Sequence, residues 1–448
     1  MIKKHPHKST KSMVAMLLML CTMVAGTQNA DAFFQEEAQG EQQGFTQYKG
    51  EVKGSDSNKP LVFATIAIEG TNVSTITNSD GGFLLKVPQE IASDVAATNV
   101  LVSFLGYRTK TIPLAQFDQN GSNEVELQVS VTALSDVDIQ VPKDAEALVQ
   151  ETLKKKGENY FEDPTLMTAF YRETIKKRRK NVSLSEAVVN IYKTPYTSFK
   201  KDGVKLYKAR KSTDYSKLDT VALKLQGGPF NALFVDVMKY PEYIFTEETL
   251  NDYKFSFDRS TRVNDRLIYV VDFVQREAIL DPLYQGKLYI DAENKILTSA
   301  IFSLNITDKE MASRMFVRKK PANARVWPTE VAYRVDYREK AGKWYYGYSN
   351  VLMEFKINWD KRLFNSVYSM TCEMAVTDWE KNMAADFPKS KNRMKSSIIL
   401  ADEAIGFSDP DFWGEYNIIE PDKSIESAIE KIQRQLEKSQ RNNGTSAR

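Results

Sequence analysis

The sequence predicts a mainly β protein with some α structure: an N-terminal antiparallel β-sandwich, then a larger curved antiparallel sheet packed with helices. Three observations predict it. Roughly seven short apolar runs between Tyr48 and Val131 are separated by turn residues, the rhythm of a small sandwich. Later segments alternate apolar and polar residues strictly, as strands with one wet face do. Apolar residues at helical spacing recur at 144–157 and 421–440.

The chain has 448 residues, 42% hydrophobic and 27% charged, which is ordinary globular composition with room for more than one domain. It opens on a basic stretch, Lys3 to Lys11, followed by the apolar run Met13–Gly26. Ala30-Asp31-Ala32 then fits the small-x-small cleavage rule, so residues 1–32 read as a secretory signal peptide and Phe33 as the mature start. A retained anchor is the alternative, but the run is shorter than the ~18 residues of a membrane span. Cys21 follows Leu20, whereas a lipid-attachment cysteine wants a small residue there. Both histidines, His5 and His7, lie in this segment. The mature chain therefore lacks histidine, which removes Ser-His-Asp and Cys-His catalysis, the usual zinc sites and haem ligation by histidine. Cys372 is its single cysteine, so no intramolecular disulfide and no thiolate cluster can form. It balances 57 basic against 58 acidic residues, which gives no global field for nucleic acid. No later segment reaches membrane-spanning length without a charge.

Residues 33–47 are Gln/Glu/Gly-rich and read as a flexible leader. The sandwich occupies 48–131. Gly54 to Asn58 is a loop, Val62–Glu69 a strand ending at Gly70-Thr71, and Asn78-Ser79-Asp80-Gly81-Gly82 a strong turn before Phe83. Val100–Phe104 and Arg108–Leu114 flank Gly106-Tyr107, and Glu124–Val129 alternates again. Gly70, Gly81 and Gly106 suit turns of positive φ, and Phe83 and Tyr107 suit the sandwich core or rim.

Gly50-x-Val52, Pro60-Leu61-x-x-Ala64, Ile68-x-Gly70-Thr71, Thr77 to Phe83 and Phe104 to Arg108 together resemble the carboxypeptidase-regulatory-like domain. That family is a transthyretin-like β-sandwich found in envelope proteins of Bacteroidetes-type bacteria. The family's name records an accessory domain beside a peptidase, so the resemblance implies a docking or spacing module rather than peptidase activity. Asn78 stands where the family often has Asp.

Residues 132–143 read as a linker stopped by Pro142. Asp144 is placed to cap a helix carrying Ala145, Leu148, Val149 and Leu153 on one face, with Gly157 as its C-cap. The α+β sheet domain spans 144–420. Phe170–Val189 reads as strand, basic turn, strand, and Phe230–Met238 as a short helix after Gly227-Gly228-Pro229. Four apolar faces follow: Leu267, Tyr269, Val271, Phe273; Val331, Tyr333, Val335, Tyr337; Val351, Met353, Phe355, Ile357; and Tyr368, Met370, Cys372, Met374, Val376. Arg334, Asp336 and Arg338 occupy the opposite, wet register of the second, and Glu354 and Lys356 that of the third. The dry face must be covered by helices or a ligand. After Pro421, Ile425, Ala428, Ile429, Ile432 and Leu436 form an amphipathic helix over 421–440, and 441–448 is a disordered tail.

Gly286 to Asp291 and Ile296 to Leu304 are similar in strand pattern to the curved sheet of periplasmic lipoprotein carriers and related lipid-binding half-barrels. Segments around Phe170–Lys193 and Asp411–Ile432 look like those of envelope proteins bearing the same N-terminal domain. Some larger relatives end in an outer-membrane barrel, whereas this sequence is expected to end in a charged helix.

The sequence assigns no catalytic residue, no cofactor and no metal ligand. Lys176 to Lys180 is the densest charge run and reads as a solvated hairpin tip, with anionic lipid or acidic glycan as the alternative. Asn78 to Gly81 lacks the later ligands of a calcium loop. Cys372 lies in an apolar register and reads as a buried thiol. Trp327, Trp344, Tyr345, Tyr346, Tyr348, Trp359, Trp379 and Trp413 pack the sheet or line a concave site. The expectation is a non-enzymatic exported envelope protein, in the periplasm or at the outer membrane. Its partner would be an envelope protein or a lipid or glycan ligand, with peripheral membrane contact and no nucleic acid. A lipid or lipoprotein carrier using the concave face, and a hydrolase using paired carboxylates, are the alternatives.

Overall fold

The computed structural model describes residues 44–130, 144–178, 180–213, 225–244, 246, 248–258, 260–263, 266–317, 320, 322–360, 363–382, 384, 387–406 and 412–423. The stretches read from sequence as signal peptide, most of the leader, linker, and C-terminal helix and tail from residue 424 lie outside them.

The predicted sandwich is present as two sheets. Its strands are β1 (Phe45–Gly54), β2 (Thr65–Ile68), β3 (Ser74–Ile76), β4 (Gly82–Pro88), β5 (Asn99–Ser103), β6 (Lys110–Pro113) and β7 (Ser122–Leu127). They pair in the orders β4-β1-β7 and β3-β2-β5-β6. The first and last strands run parallel, from Lys49 opposite Ser122 to Gly54 opposite Leu127. They are joined through the whole domain, so their pairing needs no hairpin. Val52, Ile66, Phe83, Leu85, Val100, Val102 and Val125 fill the space between the sheets. A Cβ on Gly50 would come within 2.2 Å of the Asn123 carbonyl and 2.6 Å of the Phe83 ring, so only glycine lets β1 pass there. Gly70, Gly81 and Gly106 all take positive φ, as their turns require.

The second sheet is built mostly from long hairpins. Its strands are β8 (Thr165–Lys177), β9 (Lys180–Lys193), β10 (Gly203–Thr213), β11 (Tyr253–Phe257), β12 (Thr261–Val263), β13 (Arg266–Gln275), β14 (Tyr284–Asp291), β15 (Ile296–Leu304), β16 (Ala324–Lys340), β17 (Lys343–Trp359), β18 (Ser366–Lys381) and β19 (Ile405–Gly406). The order is β11-β13-β14-β15-β16-β17-β18-β8-β9-β10-β19, with β12 on β13. The sheet is curved and does not close into a barrel.

Each predicted apolar register lies on one face, with Val331, Val335, Val351, Phe355, Met370 and Cys372 in a single core. The chain itself covers this dry face. The helix Ala145–Lys154 packs Leu148 and Val149 onto it, with Asp144 accepting the Ala147 amide at 3.1 Å as its N-cap. Residues 225–250 add Phe230, Leu233, Val237 and Met238, and Met394 and Leu400 close another part. The helix predicted over Phe230–Met238 is shorter, Pro229–Leu233, and turns follow it.

Gly157 is not the C-cap expected of it. The helix ends at Lys154, and Gly157 sits in a further turn, Lys156–Asn159. Its lack of a side chain serves packing instead, since a Cβ there would lie 2.8 Å from the Thr197 methyl.

The other face was expected to be wet. Part of it is covered by the sandwich. Ile76 and Leu84 of the sandwich join Phe170, Val188, Tyr348 and Ala375 of the sheet in a third apolar cluster, completed by Trp413, Ile418 and Ile419. The 412–423 segment ties the two together. Asn417 donates to the Lys86 carbonyl at 2.9 Å and accepts its amide at 2.7 Å, imitating a strand edge. Thr75 donates to the Ile418 carbonyl at 3.0 Å, and Asn78 Nδ2 to that of Pro421 at 3.2 Å.

Candidate functional site

Beyond the third cluster the sandwich and the sheet part, leaving a cleft of about 820 Å³. Phe63, Ser74, Leu101 and Phe104 line its sandwich side; Arg334, Asp336, Arg338, Lys340 and Trp344 line its sheet side. Strand alternation sends Arg334, Asp336 and Arg338 to this face because Val335 and Tyr337 take the dry one.

A β-bulge shapes the wall. Asp336 pairs with Tyr348 but Tyr337 with Tyr346, which leaves Gly347 without a partner across the ladder. Tyr346 therefore turns into the dry-face core while Tyr348, two residues on, faces the sandwich. A Cβ on Gly347 would lie 2.6 Å from Arg338 Cγ, so the glycine makes room for the arginine stem. Across the cleft, Phe63 holds a φ of 66°, a strained conformation for a bulky residue. Its ring packs on Tyr348 at 4.9 Å, and the Arg334 guanidinium sits over it at 5.6 Å and over Phe104 at 5.7 Å.

The charges of the cleft are unequally satisfied. Arg334 Nε donates to Asp336 at 2.7 Å, and Arg266 pairs with Glu339 at 3.0 Å. Burial pulls the Arg334 guanidinium down, but Asp336 outweighs it and leaves the group above its usual value. Lys340 Nζ donates to the carbonyls of Gly70 and Thr71, at 2.7 and 2.9 Å. Arg338 Nη1 donates to Ser74 Oγ at 2.6 Å and to the Val376 carbonyl at 2.8 Å. Its Nη2 is buried without any partner. No carboxylate pairs with it among the described residues, and burial pulls it below its usual value, only partly offset by Tyr345 and Asp336. A buried, unpaired guanidinium is costly, and an orphaned donor calls for an explanation.

The dry face holds a different cluster. Lys193 Nζ lies 2.9 Å from Asp202 and 2.6 Å from Asp236, all three buried. Tyr240 donates to Asp202 at 2.7 Å and Tyr337 to Asp236 at 2.9 Å. Burial alone would lower the lysine, but the two aspartates outweigh it and raise it. The cluster fastens residues 236–240 to β9 and β16. Sequence reading did not single it out. The available signal was Lys193 in the apolar register of Ala187, Val189 and Ile191.

The structure disperses the eight aromatics. Trp344, Tyr345 and Tyr348 line the cleft, Tyr346 and Trp359 lie in the dry-face core, and Trp413 packs on Phe170. Trp379 meets Phe161 and Tyr345, and Trp327 is half-buried. Lys177 and Lys180 pair at a hairpin tip with Arg178 exposed between them. Cys372 is a free, buried thiol pushed up to about 12 by burial. Asn78 Oδ1 accepts the amides of Asp80 and Gly82, both at 2.9 Å, which closes the turn on itself. Its amide donates to Pro421, which an aspartate in this place would not do. Among the described residues no group of three or more His, Cys, Asp or Glu is placed to hold a metal. Among them, too, no helix is long and apolar enough to cross a membrane, which says nothing of a β-barrel.

Comparison with known proteins agrees with the sequence resemblance. Residues 48–141, about a fifth of the chain, match the family model of the CarboxypepD_reg-like domain. No curated protein matches the chain. Among solved structures, one similar chain is a putative outer membrane lipoprotein-sorting protein domain from Vibrio parahaemolyticus, 9% identical with a TM-score of 0.25, covering 55% of this chain and 96% of that one. Another is a LolA superfamily protein from Nitrosomonas europaea, 10% identical with a TM-score of 0.24, covering 56% of this chain and 99% of that one. At such scores the likeness bears on neither ligand nor activity.

Proposed function

We propose that the chain is an exported cell-envelope binding protein. Its ligand site is the cleft between sandwich and sheet, and its ligand combines an anionic group with an apolar or aromatic body. The observation that carries this reading is Arg338: a half-buried arginine without a carboxylate and with one buried, orphaned nitrogen, in the wall of a cleft of about 820 Å³. A carboxylate or phosphate in the cleft would supply the missing counter-charge, and a small turn of the guanidinium would bring its occluded Nη2 within hydrogen-bonding reach. Phe63, Phe104 and Trp344 offer the apolar surface beside it. The signal-peptide pattern of residues 1–32 supports export. The reading includes no reaction: Asp336 and Glu339, the carboxylates of the sheet wall, are each held by an arginine.

Carriage of a lipid is the special case in which the body is an acyl chain. The sequence reading put that chain on the dry face, which residues 225–250 and the helix Ala145–Lys154 fill. The cleft is the open alternative.

Native mass spectrometry of the mature protein, purified gently from an envelope-containing host, tests the reading. A stoichiometric anionic adduct on the wild type, lost from Arg338→Met and weakened in Trp344→Ala, is the expected result. A clean apo mass after incubation with total envelope lipid and with glycan fragments overturns it. So does an adduct that survives in Arg338→Met.

A further inference from the structure

The strands that end at the cleft begin far from it. In the β16–β17 hairpin, Lys340 pairs with Lys343 beside the cleft, and Ala324 pairs with Trp359 at the other end. At ~3.3 Å per residue, the 17 residues of β16 separate the two by about 50 Å. At that far end two connections lie side by side. β18 pairs with β8 so that Tyr368 stands opposite Lys177, and the Arg178 amide donates to the Val367 carbonyl at 2.9 Å. The tip after Trp359 therefore adjoins the tip between β8 and β9.

The two tips differ in chemistry. The first carries Leu363, 96% exposed, and Phe364, 78% exposed. The second carries Lys176, Lys177, Arg178 and Lys180, of which Arg178 and Lys180 are exposed. Arg314 and Met315 are also exposed, on the helix Lys309–Phe316, where Phe316 meets Phe355 and Ser313 bonds the Val326 carbonyl near the same end. Asp360 is the acidic residue of the first tip. A single exposed leucine means little; here two adjacent apolar side chains stand in solvent beside a cluster of cations. The hydrogen bond from Asn358 to Asn365, 2.8 Å, braces the apolar tip in this position.

We propose that this end of the sheet docks on an anionic lipid bilayer. Leu363 and Phe364 enter the interfacial region while the basic tip meets lipid phosphates. The arrangement suits a bilayer better than a protein groove, because the apolar residues and the charge lie together at one end of the sheet. The docking is independent of the ligand site: it uses none of the cleft residues.

Flotation of the mature full-length chain with vesicles tests it. Phosphatidylcholine vesicles with and without phosphatidylglycerol are the probes. The wild type floats with the anionic vesicles, and added salt weakens the binding. Leu363→Ser/Phe364→Ser and Arg178→Glu/Lys180→Glu each reduce partition by about tenfold or more, on a scale where one basic residue contributes about fivefold. Both sets of residues are exposed, so both variants keep the wild-type melting temperature, and each checks the other. Arg338→Met floats as the wild type does, which separates this proposal from the ligand reading. Equal binding to neutral and anionic vesicles overturns it, as does wild-type flotation by either double variant or no flotation by the wild type.

Discussion

Strand β9 carries a buried charge cluster on each of its faces, and the two are inverses. On the dry face Lys193 lies between two carboxylates, Asp202 and Asp236. On the sandwich face Glu186 lies between two guanidiniums, Arg172 and Arg210, each at 2.8 Å. Arg172 reaches further, to Glu373 at 3.2 Å and to the Ile419 carbonyl at 2.6 Å, while Arg210 lies over the Trp413 ring. Each cluster thus pins a covering segment to the sheet: residues 236–240 on one side, 412–419 on the other. The difference lies in what surrounds the pin. The dry face is covered by chain, whereas the sandwich face is sealed at the Glu186 end and open at the Arg338 end. Buried charge in this fold is matched where it holds the chain together. At Arg338 it is unmatched where the chain leaves room, and the ligand reading rests on that contrast.

The largest effect comes from removing the dry-face cation. Lys193→Met leaves two carboxylates buried together, and breaking such a pair costs about 3–5 kcal/mol. Glu186→Gln costs less, about 2 kcal/mol, because Arg172 keeps Glu373 and the Ile419 carbonyl. Urea unfolding midpoints of the two variants measure the gap. Equal losses would break the comparison, and show that the extra partners of Arg172 contribute nothing.

How much of this was legible in the sequence depends on the range of the interaction that decides it. Turn chemistry and alternation are local, so Gly81, Phe83 and the apolar registers of β13, β16, β17 and β18 were readable from neighbours two residues away. Which face stays wet is not local. Arg334 and Arg338 read as solvent-facing because nothing in β16 reveals that Phe63, Phe104 and Ser74, more than 200 residues earlier, will cover them. The aromatic set divides between packing and cleft for a related reason. Period-2 counting puts Tyr346 and Tyr348 on one face, and the bulge at Gly347 separates them. Its signal was a glycine inside an otherwise regular strand.

A second test sharpens the comparison from within the dry face. Glu173 lies there beside Tyr171, whose hydroxyl donates to it at 3.0 Å, opposite Ser185 and Cys372. Burial pushes its carboxyl from 4.5 up to about 7. The folded protein therefore keeps a proton that the unfolded chain gives up between those values. Stability falls as pH rises through this window, by up to about 3 kcal/mol, and is flat in this group above it. Glu173→Gln removes the fall, so the variant matches the wild type near pH 4 and exceeds it by about 2–3 kcal/mol above pH 7. Melting temperature against pH reads it directly. A wild-type slope that persists in the variant assigns the titration to another group.

The smallest expected effect concerns the seam between sandwich and 412–423. Aspartate often occupies the place of Asn78 in the family its domain resembles, and aspartate would serve the turn equally, because Oδ1 alone accepts the Asp80 and Gly82 amides. The asparagine is needed for its other atom, since Nδ2 donates to the Pro421 carbonyl. Asn78→Asp therefore leaves the sandwich intact and turns a donor into an acceptor facing a carbonyl, at a cost of about 1 kcal/mol. The loss should be local rather than global. Amide exchange should quicken at Asn417 and its neighbours, while the amides of β1 and β5 keep their protection. Were exchange to rise equally in both regions, the segment would be part of the sandwich's own cooperative unit, and the two faces of the sheet would differ less in how they are closed than the Glu186 and Lys193 clusters imply.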